Sequence, residues 1–132
     1  MKENTMLKMC GIVGSTAIIL GAFGAHALKG KLDDALLESY KTGVMYHFIH
    51  VLAMLICVAM VQRLDSVWIR RAFWLFFIGI IFFSGSIYLL ATRQVTGLDA
   101  SFLGPVTPIG GILFILGWLC LCINPVGYQA KF

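Results

Sequence analysis

Charge is the scarcest thing in this sequence. Only 12% of its 132 residues are Asp, Glu, Lys or Arg, against ~25% in an ordinary soluble domain. With 60% hydrophobic residues and a mean hydropathy of +0.92, the polar surface of a soluble monomer is missing, and the class is integral membrane protein. Basic runs interleaved with aromatics are also lacking, so the net charge of +4 does not point to nucleic acid. The four cysteines, Cys10, Cys57, Cys120 and Cys122, form no Cys-x-x-Cys pair; they are read as small apolar fillers, not a disulfide framework. No phosphate loop, metal-binding helix motif or nucleophile triad is present, and no enzymatic activity is expected.

What is there is a set of apolar runs. Residues 9–28, 43–61, 72–91 and 107–123 are each about long enough to cross a bilayer as a helix. The expected fold is therefore all-α: one membrane domain, a four-helix bundle with a short interfacial amphipathic helix between spans one and two. The interfacial helix is placed over 32–42, where Leu32, Ala35, Leu36, Ser39 and Tyr40 share a face opposite Asp33, Asp34, Glu38 and Lys41. Asp33 is a candidate N-cap.

Gly30 is expected to end the first helix. Thr107-Pro108 is expected to open the fourth as N-cap and first-turn proline, and Asn124-Pro125 to stop it. In the first run, Ala17, Gly21 and Ala25 recur every fourth residue, spacing that lets helix backbones approach closely. A secretory leader cut near Ala25-His26-Ala27 is the competing reading, but a Gly/Ala stripe makes sense in a helix that stays and packs.

Four spans put both termini on one side. Six Lys and Arg residues (Lys2, Lys8, Arg63, Arg70, Arg71, Lys131) flank that side and four (Lys29, Lys31, Lys41, Arg93) the other. The bias favours both termini in the cytoplasm, with the chain multi-pass in the cytoplasmic (inner) membrane.

Polar residues inside these runs cannot face lipid cheaply, because hydrocarbon offers no hydrogen-bond partners. His26 closes the first span; Tyr46, His47 and His50 start the second; Ser84, Ser86 and Tyr88 lie in the third; Thr107, Gly110 and Gly111 open the fourth. Four spans in this topology bring these ten residues to the outward half of the bundle. They form a candidate site for a small ligand or a partner. The histidines have no carboxylate at their depth, so neither a metal nor a cofactor is expected. Two other readings use the same residues: a small oligomeric transporter or proton-linked permease with His26 and His50 titrating, and a membrane redox subunit binding haem or quinone.

Four motifs in order run through the chain: Gly21-Ala-Phe-Gly-Ala-His-Ala-Leu28, Thr42-Gly-Val-Met-Tyr-His-Phe-Ile-His50, Phe83-Ser-Gly-Ser-Ile-Tyr88, and Thr107-Pro-Ile-Gly-Gly111 with Gly117-Trp118. Over nearly its whole length the chain resembles the small four-span bacterial membrane proteins grouped as domain of unknown function family 423. Animal transmembrane protein 256 is similar at greater distance. The resemblance marks His26, Tyr46, His50, Ser84, Gly85, Tyr88, Thr107, Pro108, Gly110 and Gly111 as characteristic positions, and His47 less so. It implies the fold and a membrane location and supplies no reaction. The expected partners are the lipid bilayer and a further copy of the chain or another membrane protein; the ligand is unassigned.

Overall fold

The structure, a computed structural model, describes residues 2–64 and 66–123; the expected stop at Asn124-Pro125 and the basic Lys131 lie outside them. Among the described residues there are no strands. The helices are α1 (Glu3–His26), α2 (Asp34–Leu64), α3 (Val67–Ala91), the single turn α4 (Arg93–Thr96) and α5 (Val106–Ile123), with a 3-10 turn at Ser101–Leu103 before α5. Four helices are long and apolar enough to cross a membrane. These helices overlap the four expected windows: α1, α2 and α3 begin ahead of them, α1 stops short at His26, and α5 adds only Val106 to its own.

The stretch 32–42 does not form a separate helix. Asp33 Oδ1 accepts from the Leu36 amide at 2.8 Å, as an N-cap should. From Asp34, however, the helix continues unbroken for 31 residues to Leu64. No proline interrupts it, and Gly43 stays helical because its bare Cα lets α3 come close: an added Cβ would lie 2.9 Å from Ile87 Cγ2. A helix of this length is about 46 Å long against a hydrocarbon core of about 30 Å. The amphipathic turns thus extend the span instead of lying across its end. His47 and His50 consequently sit near the middle of α2, not in its first turns.

Two terminus expectations also shift. α1 ends at His26, and Gly30, with φ +77°, turns the chain four residues later. α5 begins at Val106, so Thr107 is inside its first turn. The Thr107 hydroxyl bonds Ser86 of α3 at 2.6 Å instead of capping its own helix.

The helices pack in the spatial order α1, α2, α3, α5, each principally against its neighbours in that row. The α1 stripe facing α2 is Met6, Cys10, Ala17 and Gly24, all buried, with Gly14 and Gly21 beside it, whereas Ala25 faces out. This alternation of three and four follows the 3.6-residue turn better than a strict repeat of four. A common core joins Met54, Cys57 and Val61 of α2 to Ile69, Phe73 and Phe76 of α3 and Phe114 of α5. Large apolar residues such as Ile12, Ile19, Leu52, Ile81 and Ile115 are exposed, as suits helices solvated by lipid.

Candidate functional site

The expected polar residues separate into three groups along the row of helices. The first lies between α2 and α3. Ser84 Oγ donates to the Gly43 carbonyl at 2.7 Å, across the approach that Gly43 permits. One turn on, His47 Nδ1 is 3.0 Å from the Tyr88 hydroxyl. His47 is 4% exposed, and its Nε2 is buried with no hydrogen-bond partner. If Tyr88 donates to Nδ1, one N–H is orphaned; the reverse assignment orphans the tyrosine proton as well as Nε2. The first arrangement therefore holds, and it leaves a buried donor whose desolvation costs about 1–3 kcal/mol.

The second group pins α5 to α3. Ser86 Oγ donates to the Phe83 carbonyl at 2.9 Å, so Thr107 is the donor in its 2.6 Å bond to Ser86. Gly110 is buried here because any side chain would land on the Phe83 main chain. Gly111, by contrast, has ordinary room: its added Cβ would be 3.9 Å from the Phe83 ring.

The third group lines a groove of about 560 Å³ between α2 and α5. Its α5 wall runs from Pro108 through Gly111, Ile112 and Ile115 to Trp118, about 15 Å of helix. The opposite wall is Met45, Tyr46, Ile49 and His50 of α2, and Phe83 and Phe114 also line the cavity. The exposed Met45, Ile49, Ile112 and Ile115 turn its mouth toward lipid.

His50 belongs to the groove wall but is chemically committed. Its Nδ1 is 2.8 Å from the Tyr46 carbonyl, which only accepts, so Nδ1 carries the proton. Nε2 is then the acceptor for the Trp118 indole N–H at 3.3 Å. The ring stacks on Phe114, centroids 3.5 Å apart and planes 7° off parallel. A neutral imidazole with both nitrogens used and one face covered is poorly placed as a metal ligand.

Tyr46 is the opposite case. Its ring packs 4.6 Å from Phe83, and its hydroxyl has no hydrogen-bond partner among the described residues. It is the uncommitted polar group of the groove.

His26 stands apart, exposed at the end of α1. Of the ten expected residues, Tyr46, His50 and Gly111 line the groove; His47, Ser84, Ser86, Tyr88, Thr107 and Gly110 join helices nearby. Trp118, Phe114 and Phe83 were not expected in the site. Trp118 carried a signal, since an indole N–H inside an apolar helix needs an acceptor, but only the fold identifies His50 as that acceptor. Among the described residues no three His, Cys, Asp or Glu side chains gather as a metal-binding group.

The profile of a family described as "Protein of unknown function (DUF423)" matches residues 20–111, from the last two turns of α1 through Gly111. The chain belongs to this family. Its curated relatives include the UPF0382 membrane protein YwdK of Bacillus subtilis, 41% identical over 85% of this chain and 88% of its own length. The UPF0382 membrane protein SH2409 of Staphylococcus haemolyticus is 40% identical over 89% of this chain and 95% of its own. SERP0230 of Staphylococcus epidermidis is 45% identical over 81% and 83%. No solved structure matches. Family membership thus carries the membrane assignment and leaves the groove to be read from its own chemistry.

Proposed function

We propose that this protein is a non-enzymatic membrane protein of the cytoplasmic membrane, with both termini in the cytoplasm, that holds a small neutral ligand taken laterally from the bilayer. The observation that carries this reading is the unpartnered Tyr46 hydroxyl in an otherwise apolar, aromatic groove open to lipid. The lining residues are uncharged, so an anionic or cationic head would be left unpaired in low dielectric. A neutral molecule with one carbonyl or ester acceptor satisfies Tyr46, and a chain attached to it follows the 15 Å or so of α5 between Pro108 and Trp118. The permease reading finds less support, because His50 has no free nitrogen and His26 is exposed at the end of α1 and does not line the groove.

The test is binding of a brominated or spin-labelled diacylglycerol or quinone to the purified protein in nanodiscs, read by quenching of tryptophan fluorescence. Gly111→Leu fills the groove without entering the core and is expected to abolish quenching. Tyr46→Phe is expected to weaken binding about 2- to 12-fold, the loss of one net hydrogen bond of 0.5–1.5 kcal/mol. Quenching that is unaffected by Gly111→Leu would refute the groove as the site.

A further inference from the structure

Acids and cations are distributed differently at the two ends of the helix row. At the end where α1 gives way to α2 and α3 to α5, Lys29, Lys31, Lys41 and Arg93 are matched one for one by Asp33, Asp34, Glu38 and Asp99. Lys41 Nζ lies 2.6 Å from Glu38 Oε1, and the Gln94 side-chain amide donates to Asp33 Oδ2 at 2.9 Å. The opposite end holds Lys2, Lys8, Arg63, Arg70 and Arg71, against Glu3 and Asp65 in the same stretches of sequence. The formal net charge of +4 thus comes from this end and from Lys131 of the tail.

The cations come from three helix ends brought to one level. An added Cβ at Gly21 would lie 3.3 Å from Val44 and one at Gly14 3.4 Å from Val51. Each step back along α1 therefore matches one step forward along α2, and continuing that register puts Lys2 level with Arg63. α3 starts at Val67, just after α2 ends at Leu64, and Arg71 lies about 6 Å of helix beyond that start. Lys8 is about 9 Å further into the bundle than Lys2, and its long side chain can snorkel back.

These side chains are available. Lys2, Lys8, Arg63 and Arg71 are exposed, and no ion pair among the described residues uses them; Arg70 has an interaction of its own. Arg71 is also oriented. Ser66 Oγ accepts from the Trp68 amide at 3.2 Å and fixes the first turn of α3. Trp68 packs against the core, and Arg71 Cζ sits 4.7 Å from its ring centroid. The ring holds the guanidinium without neutralising it.

We propose that this end of the bundle is a docking surface for the headgroups of anionic phospholipids, with Lys2, Lys8, Arg63 and Arg71 as the cations that face their phosphates. Helices that span the hydrocarbon place their ends in the headgroup layer, so lipid phosphate is the partner that meets these cations. An excess of positive charge there selects anionic over zwitterionic lipids. A headgroup layer is continuous along the surface, so a shared level suffices and no convergence on one point is needed. The matched charges at the other end supply no such preference.

The experiment is electron paramagnetic resonance of the full chain in bilayers containing chain-labelled phosphatidylglycerol or phosphatidylcholine, which reads the fraction of each lipid immobilised on the protein. A larger immobilised fraction of phosphatidylglycerol is expected. The preference should fade as NaCl rises from about 0.01 to 1 M, across which the Debye length shrinks from about 30 to 3 Å. Arg63→Gln/Arg71→Gln and Lys2→Gln/Lys8→Gln should each remove about half of it, the cations contributing alike, and the four changes together should abolish it. Glu38→Gln/Lys41→Gln, which deletes a matched pair at the other end, should leave it unchanged. Equal fractions of the two lipids on the parent protein, or a preference that survives all four changes, would overturn the surface. So would displacement of phosphatidylglycerol by inorganic phosphate beyond that caused by NaCl of equal ionic strength, which would assign the cations to a soluble anion. Gly111→Leu leaves the preference intact, so this result stands apart from the groove.

Discussion

The two ends of the helix row use glycine differently. Between α3 and α5, a methyl at Gly79 would lie 2.6 Å from the Phe114 ring and one at Gly117 2.6 Å from Phe76, while at Gly110 it would fall on the Phe83 main chain. Between α1 and α2, Gly14 and Gly21 meet valine methyls at 3.4 and 3.3 Å, and Gly11 meets nothing. Phe rings and backbone have filled the space vacated on α5; on most of α1 the glycines simply allow contact. Gly24 is the exception, pressed by Tyr40, whose hydroxyl reaches the Leu20 carbonyl at 2.7 Å. The comparison teaches that a similar run of small residues can mark a locked joint or a light one. What distinguishes them is the partner: a backbone or a wedged ring cannot give way, whereas a valine methyl can shift.

The largest effect expected from this difference is at Gly110. Gly110→Ala should cost about 3 kcal/mol or more, above the usual overpacking range because the obstacle is main chain. Gly14→Ala should stay within about 0.5 kcal/mol. Unfolding in mixed detergent micelles measures both, and equal losses would erase the distinction between the joints.

An intermediate effect sharpens the view of the α2–α3 contact between them. Tyr88→Phe leaves His47 without its one bond and should destabilise by about 1–3 kcal/mol. Replacing both, His47→Leu with Tyr88→Phe, removes the orphaned nitrogen and should be near neutral or stabilising by the same measurement. A double variant less stable than the single one would mean that the pair holds the fold.

The smallest effect belongs to the loop that feeds α5. The Ser101 side chain, and then its amide, holds the exposed Asp99 carboxyl below the usual carboxylate range. A depressed folded-state value contributes stability that is present above about pH 4 and is lost as pH falls through the lowered value. An NMR titration of Asp99 should show the low midpoint, moving part of the way back toward the ordinary range in Ser101→Ala, which keeps the amide bond, with little change in unfolding because the group is in water.

Much of the fold was legible before any coordinates. Hydropathy and length marked the four spans, and Asp33 was readable as a cap from its position before an amphipathic pattern. The unbroken helix from Asp34 to Leu64 was not: Gly43 reads as a boundary when the Ile87 that packs on it is unknown. Thr107 likewise reads as a cap until Ser86 is found facing it. The site was legible as residue types but not as partners. His47 and His50 look alike in sequence three positions apart, yet one shares Nδ1 with Tyr88 and strands Nε2, and the other is satisfied by Tyr46 and Trp118.

By itself the sequence determined that this chain lives in a bilayer as four helices, because too few charges and too many long apolar runs leave water no surface to hold. Only the tertiary structure decided which polar groups are spent on one another and which remain free. Hydropathy is a property of each residue, whereas hydrogen bonds between helices depend on register, and a shift of one residue turns a side chain by 100° about its helix.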